Sequence, residues 1–124
     1  SLLQRRKEII LKYNQLLKDE EVEYLDHYNE IHQSSGHLYL LRLIGKDESF
    51  RNELIKKMAE KGVATNVHYK PLPLLSAYKN LGFKISDFPN AFNMYKNEVT
   101  LPLHTLLSDE DIEYVVKVLK ENLK

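Results

Sequence analysis

His68 and Tyr69 stand side by side in TNVHYKPLPLL, residues 65–75, with Pro71 and Pro73 directly after them. Tyrosine offers one phenolic hydroxyl that donates or accepts, and histidine offers two ring nitrogens. The pair suits the phosphate, hydroxyl or amide groups of a polar ligand. A residue before proline is pushed out of helical geometry, so Lys70 and Leu72 are expected to be extended. Such a stiff loop loses little entropy on ordering and can hold contacts to a fraction of an ångström. The other reading is structural: Tyr69 packs beneath the loop and His68 caps a strand end. The residues alone leave both readings open.

Arg42 is a second candidate, because it interrupts the apolar run HLYLLRLI, residues 37–44. Inside a core it would need a carboxylate or phosphate partner. At an exposed edge it would need none. Tyr39 alternates with Leu41 and Leu43 and is read as core. His27, His32 and His37 are five residues apart, which spreads them around a helix or alternates them across a strand, so no metal site is expected. His104, after Pro102, reads as a loop histidine. The RRK run at residues 5–7 reads as the solvated face of a helix. The chain has no phosphate-cradling glycine loop, no G-x-S-x-G elbow, no H-E-x-x-H and no carboxylate pair whose spacing marks an acid and a base.

The elements that would position these side chains follow from pattern. Leu2, Leu3, Ile9, Ile10, Tyr13, Leu16 and Leu17 recur at helical spacing and predict a helix over 2–18. EEVEYL is a possible short strand, and QSSG a turn. The apolar run before Gly45 predicts a buried strand. Asp47 or Ser49 can cap a following helix with Phe50, Leu54, Ile55, Met58 and Ala59 as its buried stripe and Gly62 past its end. VATNV, residues 63–67, resumes as a strand. A short helix is expected around 74–80, ending near Gly82. Another starts at SDFPNAFNMY with Pro89 in its first turn and Phe88, Ala91, Phe92 and Tyr95 on one side. EVTLPL predicts a strand whose Pro102 marks an edge or an end. SDED, residues 108–111, is a capping box for a last amphipathic helix. Residues 19–36 are the nearest thing to an irregular insertion. The economical solution is an α/β, α+β-type two-layer sandwich: a small, mostly antiparallel sheet with helices packed on it.

Composition bounds the function classes. The 124 residues suffice for one core. The 18 basic and 18 acidic residues cancel, which removes the electrostatic footprint of a nucleic-acid binder. No apolar run approaches the ~20 residues of a membrane span, so neither nucleic acid nor membrane is expected as a partner. The absence of cysteine excludes disulfides and thiolate metal sites and fits a reducing cytoplasm. The chain opens at Ser1 directly into helical pattern, which suggests a piece of something longer or a processed product.

From Gly36 onward the sequence resembles a known family. GHLYLLRLI, KGVATNVHYKPLPLLSAYKNLGF and DFPNAFNMYKNEVTLPLHTLLSDEDIEYVVKVL are similar, in order and spacing, to the C-terminal portion of the DegT/DnrJ/EryC1/StrS nucleotide-sugar aminotransferases. RRKEIILKYNQLL is similar to the helix that leads into their small domain, while residues 19–36 depart from the family pattern. The resemblance implies the small domain of an aspartate-aminotransferase-fold enzyme that uses pyridoxal phosphate (PLP). The whole enzyme would transfer an amino group, from glutamate, to a keto-sugar carried on a nucleotide. It would act as a homodimer with shared active sites. The Schiff-base lysine belongs to the family's large N-terminal domain, and no lysine here matches its motif. The chain by itself is therefore expected to be inactive and to bind no PLP. Carried over residue by residue, His68 and Tyr69 become substrate contacts and Pro71 the residue that shapes their loop, with Arg42 a further possibility. Residues 1–124 are read as one domain, whose partner is the large domain of the same enzyme. The first helix is expected to expose apolar surface toward that domain. Two alternatives stay open: a stand-alone, non-catalytic nucleotide-sugar-binding module, and a plain interaction domain.

Overall fold

The Ser1 hydroxyl accepts from the Gln4 backbone N–H and opens α1, Leu2–Leu17, in a computed structural model that describes all of residues 1–124. Ile9, Ile10, Tyr13 and Leu17 line one side of α1 and are fully buried, as an amphipathic helix requires. Asp47 caps α2, Glu48–Glu60, by accepting from the Phe50 N–H. Gly62, at φ +79°, takes the left-handed position that follows it. Ser108 and Asp111 form the capping box of α5, which spans Asp109–Asn122. The three long helices thus start where short polar side chains can satisfy their first N–H groups.

The strands β1 (Val22–Tyr24), β2 (Tyr39–Leu43) and β3 (Glu98–Leu101) form one sheet in the order β1-β2-β3. Both pairings are antiparallel. Alternation sends Tyr39, Leu41, Leu43, Val99 and Leu101 into one core with the apolar sides of α1, α2 and α5. This is the expected two-layer sandwich. The buried tyrosines keep their hydroxyls satisfied, Tyr13 on the Pro102 carbonyl at 2.7 Å and Tyr39 on Asn14 Oδ1 at 2.8 Å. Between α2 and β3 run a 3-10 turn at Leu72–Leu74, a one-turn helix α3 (Ser76–Lys79), a second 3-10 turn at Ile85–Asp87, and α4 (Pro89–Tyr95). No helix is long and apolar enough to cross a membrane.

Several expectations are corrected. VATNV is not a strand; it touches β3 at one bridge, Asn66↔Thr100. The ladder stops there because side chains take the next two N–H groups: Asn66 Oδ1 accepts from Val67, and Glu98 Oε2 accepts from His68. The loop is not extended throughout. Leu72–Leu74 tightens into a 3-10 turn, which Pro73 permits because an N–H in the first turn would have no partner anyway. The stripe of α2 is Arg51, Leu54 and Met58, whereas Ala59 is exposed. On α4 only Tyr95 is buried. The RRK run is not simply solvated: Arg5 reaches the Leu107 carbonyl and Arg6 the Gly36 carbonyl at 3.1 Å. Apolar exposure on α1 is confined to Leu2, Leu3 and Leu11, and a larger set of exposed apolar side chains lies between Tyr69 and Met94.

Candidate functional site

The face of the sheet turned away from α1, α2 and α5 carries the chemistry. Register places Glu23, Arg42 and Glu98 in one row across the three strands, and Leu40 beside Thr100 in the next. A cleft of about 400 Å³ opens over this face, a size suited to a small-molecule ligand. Arg42, Leu40 and Glu98 come from the sheet; His68, Tyr69 and Pro71 from the proline-bounded loop; Ala91, Met94 and Tyr95 from α4; and Glu23, Tyr24 and Leu25 from β1 and the residue after it. No lysine lines the cleft.

His68 is held from two sides. Its backbone N–H donates to Glu98 Oε2 at 2.9 Å, and its ring Nδ1 lies 2.8 Å from Thr100 Oγ1. The Thr100 hydroxyl in turn donates to Glu98 Oε1 at 2.7 Å. Glu98 and Thr100 are both buried. Burial pushes the Glu98 carboxyl above the ordinary glutamate range, while the hydrogen bonds from Thr100 and from the His68 N–H act the other way. Tyr69, joined to His68 by a cis peptide bond, is 73% exposed. Its ring meets the imidazole edge-on at 4.6 Å, and its hydroxyl is unpaired. The structural reading of the loop therefore holds in one half only: His68 does brace β3, but Tyr69 does not pack beneath the loop.

Arg42 is neither sealed in the core nor free at an edge. Its guanidinium pairs with Glu23 at 3.2 Å, and donates to Asn97 Oδ1 at 3.3 Å and to the Asn93 carbonyl at 3.2 Å. The fold thus gathers His68, Tyr69, Pro71 and Arg42 on one cleft, although Arg42 lies 26 positions before His68. It does not gather the other histidines. His27 is buried beside Tyr39 with Nδ1 on Ser34 Oγ at 3.0 Å, His32 Nε2 lies 2.7 Å from the Asp26 carbonyl, and His104 is exposed. No group of three or more His, Asp or Glu side chains is arranged to hold a metal ion. Sequence reasoning missed Glu98 and Thr100. Period-two alternation in EVTL sets both opposite the core residues Val99 and Leu101, and that was the available signal. It also missed Arg51. This buried side chain donates to the carbonyls of Tyr95 and Glu98 at 2.9 and 3.0 Å and so ties α2 to the far end of the cleft.

The cleft offers one guanidinium already paired with Glu23, the Glu23 and Glu98 carboxylates, one free phenol, one imidazole edge and apolar walls. That set can hold a polar molecule with a flat or apolar part. It contains no activated nucleophile.

Comparison with known proteins bears on what such a cleft serves. The family model for DegT/DnrJ/EryC1/StrS aminotransferases matches residues 1–120. A putative sugar aminotransferase from Streptococcus pneumoniae, solved in PMP, apo and PLP forms, superposes with a TM-score of 0.96 at 47% identity, over 99% of this chain and 31% of that one. The UDP-4-amino-4,6-dideoxy-N-acetyl-beta-L-altrosamine transaminase of Campylobacter jejuni is 32% identical over 118 residues, 91% of this chain and 30% of its own length. A spore coat polysaccharide biosynthesis protein of Bacillus subtilis is 35% identical over 91 residues, 71% of this chain and 23% of its own length. The chain spans between a quarter and a third of most relatives it matches.

Proposed function

Since the chain belongs to the DegT/DnrJ/EryC1/StrS aminotransferase family, we propose that it is the C-terminal small domain of a PLP-dependent enzyme that transfers an amino group, from glutamate, to a keto-sugar carried on a nucleotide. The observation that carries this reading is the convergence of His68, Tyr69, Pro71 and Arg42 on one cleft of ligand size. The Arg42 guanidinium supplies positive charge for a phosphate. The Tyr69 hydroxyl and the outer edge of His68 supply hydrogen bonds for the nucleotide-sugar, and Pro71 limits the freedom of their loop. The cleft has no lysine, so its residues do not fit the Schiff base by which PLP is held, and no chemical step through the cofactor falls to them. In this reading the chain positions substrate against a catalytic centre supplied by a large domain and, in a homodimer, by a second subunit.

Immunoblotting the source cell with an antibody against this domain tests the reading first. A band several-fold larger than 14.6 kDa is expected. A band at that mass would favour a stand-alone binding module. Turnover by the larger polypeptide, with PLP, glutamate and UDP- or dTDP-linked 4-keto sugars, tests the site. His68→Ala and Tyr69→Phe should each lower kcat/KM about tenfold, roughly the worth of one hydrogen bond. Unchanged values would remove both residues from the site.

A further inference from the structure

The outer edge of His68 is set by residues beneath it. A threonine hydroxyl has one hydrogen, and an ionised carboxylate can only accept. Thr100 gives its hydrogen to Glu98 Oε1 across 2.7 Å. Its oxygen therefore faces His68 Nδ1, 2.8 Å away, with lone pairs only. Nδ1 must then carry the hydrogen and donate. In a neutral imidazole this leaves Nε2 as a bare acceptor. Nε2 makes no hydrogen bond within the protein, and His68 lines the cleft. The second oxygen of Glu98 is occupied by the His68 backbone N–H at 2.9 Å, so one buried carboxylate orients both the backbone and the ring of the same residue. The strand is anchored in turn by the Asn66–Thr100 bridge, whose two hydrogen bonds measure 2.7 and 3.2 Å.

We infer that Glu98 and Thr100 are positioning residues for His68. Through the relay His68 Nδ1–H to Thr100 Oγ–H to Glu98 they fix the Nδ1–H tautomer, so that Nε2 accepts a hydrogen bond from a ligand N–H or O–H. This deepens the proposed substrate role of His68 and rests on it for the ligand. The tautomer itself is independent of any ligand. The site thereby discriminates: a hydroxyl or an imide N–H is welcomed at this position, while a group that can only accept meets a lone pair.

Long-range proton–nitrogen NMR of the ¹⁵N-labelled chain, above the titration range of histidine, reads the tautomer directly. In the wild type the His68 Nδ1 resonance should fall in the protonated range and Nε2 in the unprotonated one. Thr100→Val keeps the side-chain shape but removes the acceptor, so the ring should revert toward the Nε2–H form that free imidazole side chains favour. Thr100→Ser restores the hydroxyl and should restore Nδ1–H. Glu98→Gln leaves one oxygen where two donors now meet two, so the Nδ1–H population should fall. A wild-type Nε2–H tautomer, or a tautomer indifferent to Thr100→Val, overturns the relay. UDP-N-acetylglucosamine is then titrated against the same resonances in the full-length enzyme, with its large domain and second subunit present. A downfield proton contact at Nε2 that weakens at least several-fold in Thr100→Val but not in Thr100→Ser supports the ligand assignment. No response of the His68 ring to the sugar nucleotide overturns the substrate role and leaves the relay judged by the tautomer alone.

Discussion

The Arg51 guanidinium lies over the ring of Tyr95, 4.6 Å from its centroid, and donates to the same residue's carbonyl at 2.9 Å. Arg51 is 1% exposed and also serves the Glu98 carbonyl and Asn52 Oδ1. One side chain therefore closes the end of α4 and the start of β3 onto α2. Arg51→Ala would leave two carbonyls without their donor and lose the ring contact. Destabilisation of about 3 kcal/mol is expected in urea unfolding. Arg51→Lys should recover only part of this, since an ammonium cannot reproduce the planar fork.

Gly36→Ala should cost about 2 kcal/mol. Gly36 sits at φ +68°, where a Cβ is strained, and an added Cβ would meet Ile10 Cδ1 at 3.0 Å and Tyr28 Oη at 3.1 Å. The same backbone carbonyl accepts from Arg6. A lowered thermal midpoint, with the His68 signals unshifted, checks that the effect is confined to the junction of α1 with the residues before β2.

Acid should weaken the fold through His27. Burial holds its pKa below the ordinary 6.5, and its Nε2 is buried without a partner. A base with a depressed folded pKa binds fewer protons folded than unfolded. Its contribution is present above 6.5 and is lost as pH falls toward the folded value. Glu98 acts in the opposite sense, since a raised carboxyl pKa favours the fold most below 4.5 and less as pH rises. On going from pH about 7 to about 5, the wild type should lose urea midpoint relative to His27→Phe, because Glu98 contributes alike to both proteins. Parallel slopes in the two proteins would contradict the assignment.

Arg42→Gln should separate binding from folding. The Arg42–Glu23 pair is partly exposed, with Glu23 at 61%, so its loss should move the thermal midpoint by no more than about 3 °C. On the proposed reading of the cleft, loss of the Arg42 cation in the larger polypeptide should raise KM for the sugar nucleotide about tenfold and weaken its salt dependence. An unchanged KM would place Arg42 among the residues that merely brace the sheet.

The long elements were legible in the sequence because each is specified locally. The capping box at Ser108, the cap offered by Asp47 or Ser49, the stripe of Ile9, Ile10, Tyr13 and Leu17, and the alternation in YLLRL all operate within a few residues, so α1, α2, α5 and β2 could be read without a partner. The segment 63–67 could not. Whether it paired depended on Glu98, 30 positions from His68 in sequence, taking the N–H that a longer ladder would have used. Arg51 was hidden for a related reason: a charged side chain inside an apolar stripe is buried only when distant carbonyls meet it.

The sequence by itself determined the three long helices, the two-layer class and the identity of the loop residues His68, Tyr69 and Pro71, because caps, periodicity and proline act through near neighbours. The tertiary structure alone decided that Arg42 joins them, that Glu98 and Thr100 stand beneath His68, and that Tyr69 stays exposed. Those facts depend on strand register and on which face of the sheet the helices leave uncovered, and both are settled only when segments far apart in the chain bury their apolar surface together.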